Sequence, residues 1–360
     1  MIRRLDDSRA GFVNEISDLL SRHIWKNPRL APALGDEDAV YLFSDYSRAG
    51  RHFATYNFLL CGKGSADALN PRRAALRSAF RIGRRRMAFK QLSDQLKFRA
   101  LPAFLSLFDD LDAMLLTFAV DNRIQFMLAE QFLAVDTDFS AGVKKRVFED
   151  MLRIAHFGAQ TIATSFRPGQ HVVWITDSDD IVANERCEQI FGKVAGVVLK
   201  SFLRSETIES LSFAVTSIPD PTLQLEDFAS VPDLVAGAVG ETLSALAASG
   251  LHVTGGVCLE RPRVSGKTDL VCQWLARESS VGKIGVVFEK VGSGVWDWRP
   301  NDIRDRSTNA RRSGPTLLVA VSALPLPAAR TFPEEPNRPR KNPRAECVRR
   351  PRCFVMRPSA

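Results

Sequence analysis

Residues 39–61 read AVYLFSDYSRAGRHFATYNFLLC, and this stretch decides the fold. Residues 40–43 are apolar, β-branched or aromatic, residues 53–60 form a second such run, and Gly50 lies in the short loop between them. This arrangement predicts an antiparallel β-hairpin. Asp45 is predicted to lie where the first strand ends. It is either a turn-initiating aspartate or a functional carboxylate, and two later stretches of the chain favour the second interpretation.

Composition limits the class of protein. The chain has 360 residues, of which 45% are hydrophobic and 25% charged, enough to bury a large core. The opening residues contain acids and no apolar run, and no run of about 18 uncharged apolar residues occurs in the sequence, so we expect a cytoplasmic protein that contacts no membrane. The six cysteines and five histidines form no close pair, which argues against a disulfide partner and a zinc site. Composition leaves the oligomeric state open.

The net charge of +8 comes from the C-terminal tail. Residues 301–360 contain thirteen Lys or Arg against five Asp or Glu, and nine of the nineteen prolines. Apart from the apolar run 316–326, this tail has no hydrophobic periodicity, so we expect it to be disordered. It is either a dispensable extension or a nucleic-acid-binding arm. The predicted organisation is an N-terminal helix packed on the core in residues 1–35, a main domain in 36–300 and the tail in 301–360.

Hydrophobic spacing predicts alternating helices and strands between these limits. Residues 112–120 are almost continuously apolar, which is typical of a strand covered on both faces. A short strand is also predicted in residues 87–92. The other predicted strands are 171–176 and 211–216, and the predicted helices are 13–24, 66–86, 98–108, 141–165, 181–200, 230–248 and 266–274.

Residues 72–99 carry ten basic residues and a single acid, Asp94. Such a stripe is either a solvated helix face or a surface that contacts the phosphates of a nucleic acid. Lys90 lies within the same stretch. The candidate nucleic-acid-binding residues are Arg73, Arg77, Arg81, Arg84 and Arg85.

Two later stretches place acids beside predicted strands and helices. The predicted strand 171–176 runs directly into Asp177, Ser178, Asp179 and Asp180. Three acids in four residues are more than helix capping requires. Further on, residues 230–233 read SVPD and have the form of a capping box with Ser230 as the N-cap. Asp227 is predicted to lie before that helix.

The order of these elements predicts an α/β fold of the ribonuclease H-like type. A mixed sheet opens with an antiparallel hairpin, helices cover both faces, and acids follow the first strand, a middle strand and the start of a late helix. Carboxylate oxygens are the ligands that Mg²⁺ prefers, and Mn²⁺ accepts similar sites. Two such ions about 4 Å apart stabilise the attacking and leaving oxygens of a phosphodiester displacement. The predicted metal ligands are Asp45, Asp177, Asp179 and Asp233.

Several short motifs resemble the family catalogued as domain of unknown function 3800. They are the Asp-x-Ser at 45–47, Lys-x-Leu-Ser at 90–93, the strand that closes on Asp177, Leu-Gln-Leu at 223–225, Asp-Leu-Val-Ala-Gly at 233–237 and the helix 266–274. The resemblance covers about residues 38–292. It implies a ribonuclease H-like, metal-dependent nuclease, in some members associated with mobile elements or phage defence. It implies catalytic roles for Asp45, Asp177, Asp233 and Lys90.

The chain departs from this family pattern in two places. The first motif of the family usually reads Asp-Glu-Ser-Gly, whereas Tyr46 and Arg48 replace its Glu and Gly here. The last two motifs are usually merged but are separated here by residues 226–232, so that Asp227 and Asp233 both match the late carboxylate in part. The hypothesis is therefore a metal-dependent nuclease. The alternative is an inactive nucleic-acid-binding or scaffold protein on the same fold.

Overall fold

The structure is a computed structural model with an α/β architecture. It describes residues 2, 5, 11–48, 52–128, 143–176, 184–203, 208–215, 222–250, 263–291, 295–297, 300–302, 317–320 and 354–356. A mixed sheet runs through the centre of the molecule, and helices cover both of its faces.

Six strands of six or more residues form the central sheet in the order β5-β4-β1-β2-β3-β6. The predicted hairpin is confirmed as β1 and β2, which pair antiparallel. Strand β2 is also antiparallel to β3, while β4 and β5 run parallel to β1, and β6 runs parallel to β3. Among these six strands, β2 alone is reversed. They are β1 Ala39–Ser47, β2 Phe53–Gly62, β3 Ala113–Asp121, β4 His171–Thr176, β5 Ser210–Val215 and β6 Gly282–Val291.

Four shorter strands extend this sheet. They are β7 Val295–Asp297, β8 Pro300–Asp302, β9 Leu317–Ala320 and β10 Phe354–Met356. Strand β9 lies parallel to β6, and β10 pairs antiparallel with β5. Both fall within the tail that is predicted to be disordered, and β9 falls within its apolar run. The other residues of 303–360 lie outside the described residues.

The described helices divide between the two faces of the sheet. Buried residues of α1, α5 and α6 share one core cluster, and those of α2, α3, α4, α7 and α8 share the other. Helix α1 contributes Val13, Ile16 and Leu20 to the first of these clusters, where all three are buried. The helices are α1 Gly11–Lys26, α2 Lys63–Ala68, α3 Asn70–Ala79, α4 Gln95–Ser106, α5 Lys145–Ala163, α6 Glu185–Leu203, α7 Gln224–Ala248 and α8 Gly266–Ala276.

Alternation along the strands sends side chains into both clusters. Phe58 points toward α5 and α6, where it meets Trp174 edge-on, whereas Phe43 points toward α7 and stacks on Phe228. Every residue of β3 is buried, which confirms the predicted strand with two covered faces. On the α5 side, Phe118 of β3 stacks on Phe157 with their ring centroids 4.0 Å apart.

Three local predictions around α3 and α7 are wrong. The helix predicted over 66–86 is two helices, α2 and α3, followed by a turn, and the short strand predicted in 87–92 is a 3₁₀ turn at Phe89–Gln91. Helix α7 begins at Gln224, so Ser230 is not its N-cap and donates instead to the Glu226 carbonyl at 2.8 Å. Burial of Phe228 in the core favours a helix that begins before the capping signal at Ser230. Asp227 therefore lies in the first turn of α7.

Helix α7 is long and apolar enough to cross a bilayer by length and composition. The core helix of a soluble domain passes the same test. In this structure α7 packs on β1 and β2, and Phe228, Val231 and Val235 are buried there. This packing accounts for its apolar composition.

Candidate functional site

Asp45 lies inside β1, two residues before the strand ends. Its side chain is 7% exposed, and alternation with Phe43 places it on the face that α7 covers. In the antiparallel register of β1 and β2, Asp45 lies opposite Asn57. A largely buried carboxylate within a strand is not the turn-initiating aspartate of the simpler interpretation.

Polar side chains surround Asn57 on the same face of the sheet. Asn57 is fully buried and accepts a hydrogen bond from Thr117 Oγ1 at 2.9 Å, and Thr55 Oγ1 donates to the Ala236 carbonyl of α7 at 3.2 Å. The Nδ2 of Asn57 has no hydrogen-bond partner among the described residues. Leaving such a buried donor unpaired costs about 1–3 kcal/mol. The sheet beside Asp45 is therefore a polar site within an apolar core.

Strand β4 pairs with β1 as far as Ser44, the residue before Asp45. These strands are parallel, and Ser44 pairs with Thr176, the last described residue of β4. In the sequence, Asp177 follows Thr176 as Asp45 follows Ser44. Asp177 and Asp179 lie outside the described residues.

An ion-pair network that the sequence analysis missed lies on the opposite face of the sheet. Asp150 of α5 lies 2.8 Å from Arg48 Nη2 and accepts a hydrogen bond from Tyr56 OH at 2.9 Å. Burial raises the pKa of Asp150, and the positive charge of Arg48 opposes that rise. The pair anchors the chain just after β1 to helix α5. The available signal was the set of charged residues within the apolar stretch 148–157.

Asp227 is engaged by two arginines of α3. Arg77 donates to both of its carboxylate oxygens, through Nε at 2.8 Å and through Nη2, and Arg73 Nη1 donates to Oδ2. Arg73 and Arg77 are only 3% and 7% exposed. The prediction that they belong to an exposed basic stripe is therefore wrong. With its charge neutralised by these contacts, Asp227 is the weaker of the two candidates for the late carboxylate.

Asp233 holds the segment that contains Lys90. Its Oδ2 accepts a hydrogen bond from the backbone N–H of Phe89 at 2.7 Å. Gly237, one turn later on α7, permits this approach, because a Cβ there would lie 2.1 Å from the Phe89 ring. Lys90 is exposed beside this contact. The structure thus brings Asp233 and the Lys90 segment together.

The described residues supply only part of the predicted metal site. Among them, no group of three or more His, Cys, Asp or Glu residues is arranged to hold a metal ion. Asp45 is one suitable oxygen ligand, and Asp233 already accepts a backbone hydrogen bond. A complete site therefore depends on the acids at 177–180. Comparison with protein-family models, with curated proteins and with solved structures finds no match for this chain.

Proposed function

We propose that this chain has a ribonuclease H-like core and acts as a metal-dependent nuclease that cleaves phosphodiester bonds. The sheet order supports the proposal: β5-β4-β1-β2-β3 has a single reversed strand, and β1, β2 and β3 form a meander. Helices α5 and α6 lie on one face of the sheet, and α7, which follows β5 in the chain, lies on the other. Strand β6 extends this arrangement beyond β3.

The observation that carries the proposal is the parallel register of β1 and β4. If the pairing of Ser44 with Thr176 continues by one residue, Asp45 and Asp177 become neighbours on the face that α7 covers. Adjacent parallel strands lie about 4.8 Å apart. Two carboxylates at that separation repel each other and raise each other's pKa unless a cation lies between them. In this proposal a divalent cation between the two carboxylates offsets that repulsion.

In this proposal, Asp45 and Asp177 hold Mg²⁺ or Mn²⁺, and Asp179 and Asp233 are the further ligands. A bound ion of this kind polarises the phosphodiester and lowers the pKa of a bound water. Asp233 would share its carboxylate between this role and the Phe89 N–H. Lys90 is placed next to that hydrogen bond, where its ammonium group contacts a phosphate of the substrate.

The test compares Asp45→Asn with Asp121→Asn by thermal unfolding, with EDTA and with millimolar Mn²⁺. Asp121 is the matched control because it is also buried at the carboxyl end of a strand, but it is paired with Arg123. We expect Asp45→Asn to keep or slightly raise the melting temperature in EDTA, since one repelling charge is removed. It should lose both the Mn²⁺-induced stabilisation and nuclease activity. Asp121→Asn should be destabilised equally in both conditions and retain the Mn²⁺ shift.

Two results would contradict the nuclease proposal. The first is a wild-type protein whose melting temperature does not respond to Mn²⁺ or Mg²⁺. The second is that Asp45→Asn loses the same stability with and without metal. Replacing an aspartate that only braces the hairpin should cost about 1 kcal/mol under either condition.

The second candidate is an inactive nucleic-acid-binding or scaffold protein on the same fold. Tyr46 stands where the resembling family has Glu, and its hydroxyl contacts Ser44 Oγ at 2.6 Å. Asp227, an alternative late acid, is neutralised by Arg73 and Arg77. This candidate predicts nucleic-acid binding that is indifferent to divalent metal, with no cleavage of single- or double-stranded substrates.

A further inference from the structure

The segment 80–91, which we call the basic loop, contains all the basic residues between α3 and α4. Several basic residues of this region are paired: Arg72 with Asp110, Arg85 with Asp94, and Arg86 with Glu226. Arg81, Arg84 and Lys90 are exposed and have no ion pair with any described residue. These three cations of the basic loop therefore remain available for an anionic partner.

Buried contacts of Arg77 fix the first half of the basic loop. Arg77 Nη1 donates to the Gly83 carbonyl at 2.6 Å and to the Arg85 carbonyl at 3.2 Å. Arg81 and Gly83 adopt left-handed backbone conformations, with φ of 54° and 57°. Ile82 between them is buried in the core. The sharp turn that presents Arg81 and Arg84 is thus tied to the interior of the domain.

Three contacts fix the second half of the basic loop. Arg86 pairs with Glu226 of α7 at 3.1 Å, and the Phe89 N–H donates to Asp233 of α7 at 2.7 Å. Lys267 of α8 donates to the Phe89 carbonyl at 3.1 Å, with its ammonium group 4.0 Å from the Phe89 ring centroid. The second half of the loop is therefore held against α7, and the first half is linked to α7 through Arg77, which binds Asp227. Helix α7 itself packs on β1 and β2.

We infer that the basic loop binds the sugar-phosphate backbone of a nucleic acid, with Arg81, Arg84 and Lys90 contacting phosphates. The inference rests on the proposed function for the class of partner. Because the backbone that carries these cations is already fixed, binding requires little ordering of the loop. The guanidinium forks of the two arginines match phosphate oxygens. Asp227 and Asp233 then act as positioning residues for this loop.

The test measures binding of labelled 20-nucleotide single strands and duplexes in EDTA, across a series of NaCl concentrations. The triple variant R81A/R84A/K90A is compared with R29A/K193A/K200A, which removes three exposed charges elsewhere. We expect the loop variant to bind about tenfold or more weakly at 50 mM NaCl, and its salt slope to fall by roughly 2 to 3, because three phosphate contacts are lost. The control variant should match wild type.

A charge-conserving variant separates the role of charge from that of folding. R81K/R84K/K90R should bind within about threefold of wild type, and all variants should keep the wild-type melting temperature because the substituted side chains are exposed. Equal weakening in the loop and control variants would overturn the inference. The inference would also be overturned if polyglutamate competed as effectively as the unlabelled oligonucleotide, because the surface would then accept any polyanion.

Failure of this inference and failure of the nuclease proposal give different results. Unchanged binding in R81A/R84A/K90A beside metal-dependent cleavage would overturn the role of the basic loop alone. Loss of binding in that variant, in a protein that never cleaves with Mn²⁺ or Mg²⁺, would support the loop and contradict the nuclease proposal.

Discussion

Asp227 places one negative charge between two nearly buried arginine side chains. The surplus positive charge is stabilised by carbonyl oxygens, since Arg73 donates to Thr222 and Arg77 donates to Gly83 and Arg85. Burying charged groups costs desolvation free energy, and this cost is offset only while each group keeps its hydrogen-bond and ion-pair partners. Removal of the shared carboxylate should therefore be far more harmful than removal of a surface acid.

We predict that Asp227→Asn lowers the free energy of unfolding by about 3–5 kcal/mol, because two buried guanidinium groups lose their counter-charge. Urea denaturation followed by circular dichroism measures this loss. The control is Asp110→Asn, which breaks the exposed pair with Arg72 and should cost at most about 1 kcal/mol. Equal losses in the two variants would show that the buried cluster does not stabilise the fold as described.

Helix α5 and strand β4 approach each other closely at Gly158. A Cβ on this residue would lie 2.1 Å from Cη2 of Trp174. The indole is held from its other end, because Nε1 donates to Ser44 Oγ at 2.8 Å. It cannot move away without losing that hydrogen bond. The close spacing between α5 and the sheet therefore depends on position 158 being glycine, which has no side chain.

We predict that Gly158→Ala destabilises the protein by about 1–3 kcal/mol through overpacking. The control is Gly196→Ala in α6, where nothing lies within 4 Å of the added Cβ. Alanine is the better helix former, so this variant should gain about 0.5–1 kcal/mol. Thermal melts of both variants give the comparison, and a stabilised Gly158→Ala would contradict the described packing of α5 on β4.

Elements with a strong hydrophobic pattern could be predicted from the sequence. The apolar runs 40–43 and 112–120 became β1 and β3, and the heptad-like spacing of Val13, Ile16 and Leu20 became α1. The start of α7 could not be predicted, because burial of Phe228 outweighs the local signal at Ser230. Within 87–92, residues 89–91 form a 3₁₀ turn, and the Phe89 N–H donates to Asp233, more than 140 positions later, rather than to a neighbouring strand.

At the scale of the whole molecule, the tail carries the net charge while the six longer strands and the eight described helices lie before it. We predict that deletion of residues 301–360 leaves a cooperative unfolding transition, with a melting temperature within about 4 °C of wild type. The deletion removes β9, β10 and most of β8, which lie at the two margins of the described sheet. Nucleic-acid binding should lose part of its salt-sensitive component. Differential scanning calorimetry of the two proteins measures the transition.

A fall in melting temperature well beyond this range would show that the tail belongs to the folded core. The matched control is deletion of residues 357–360, which lie beyond the described strand Phe354–Met356.

The candidate site could be predicted only in part, since its pairings join distant segments of the chain. Asp45 was identified because a carboxylate directly follows an apolar run and two later stretches of the sequence repeat that arrangement, although the strand proves to continue two residues beyond it. The burial of Arg73 and Arg77 could not be foreseen, because their partner Asp227 lies about 150 positions away and spacing alone does not distinguish a solvated helix face from a buried one. Arg81, Arg84 and Lys90 stayed exposed because no described acid reaches them.

The order in which the strands are made has a consequence for the newly synthesised chain. Strand β3 is complete at Asp121, yet its outer neighbour β6 begins at Gly282. At ribosomal rates this interval lasts roughly 10 to 30 s. During it, the β1-β2-β3 meander presents an unpaired, apolar edge of the kind that recruits other chains. Because that interval is set by translation, slower elongation or crowded synthesis should increase aggregation of this protein even when the finished fold is stable.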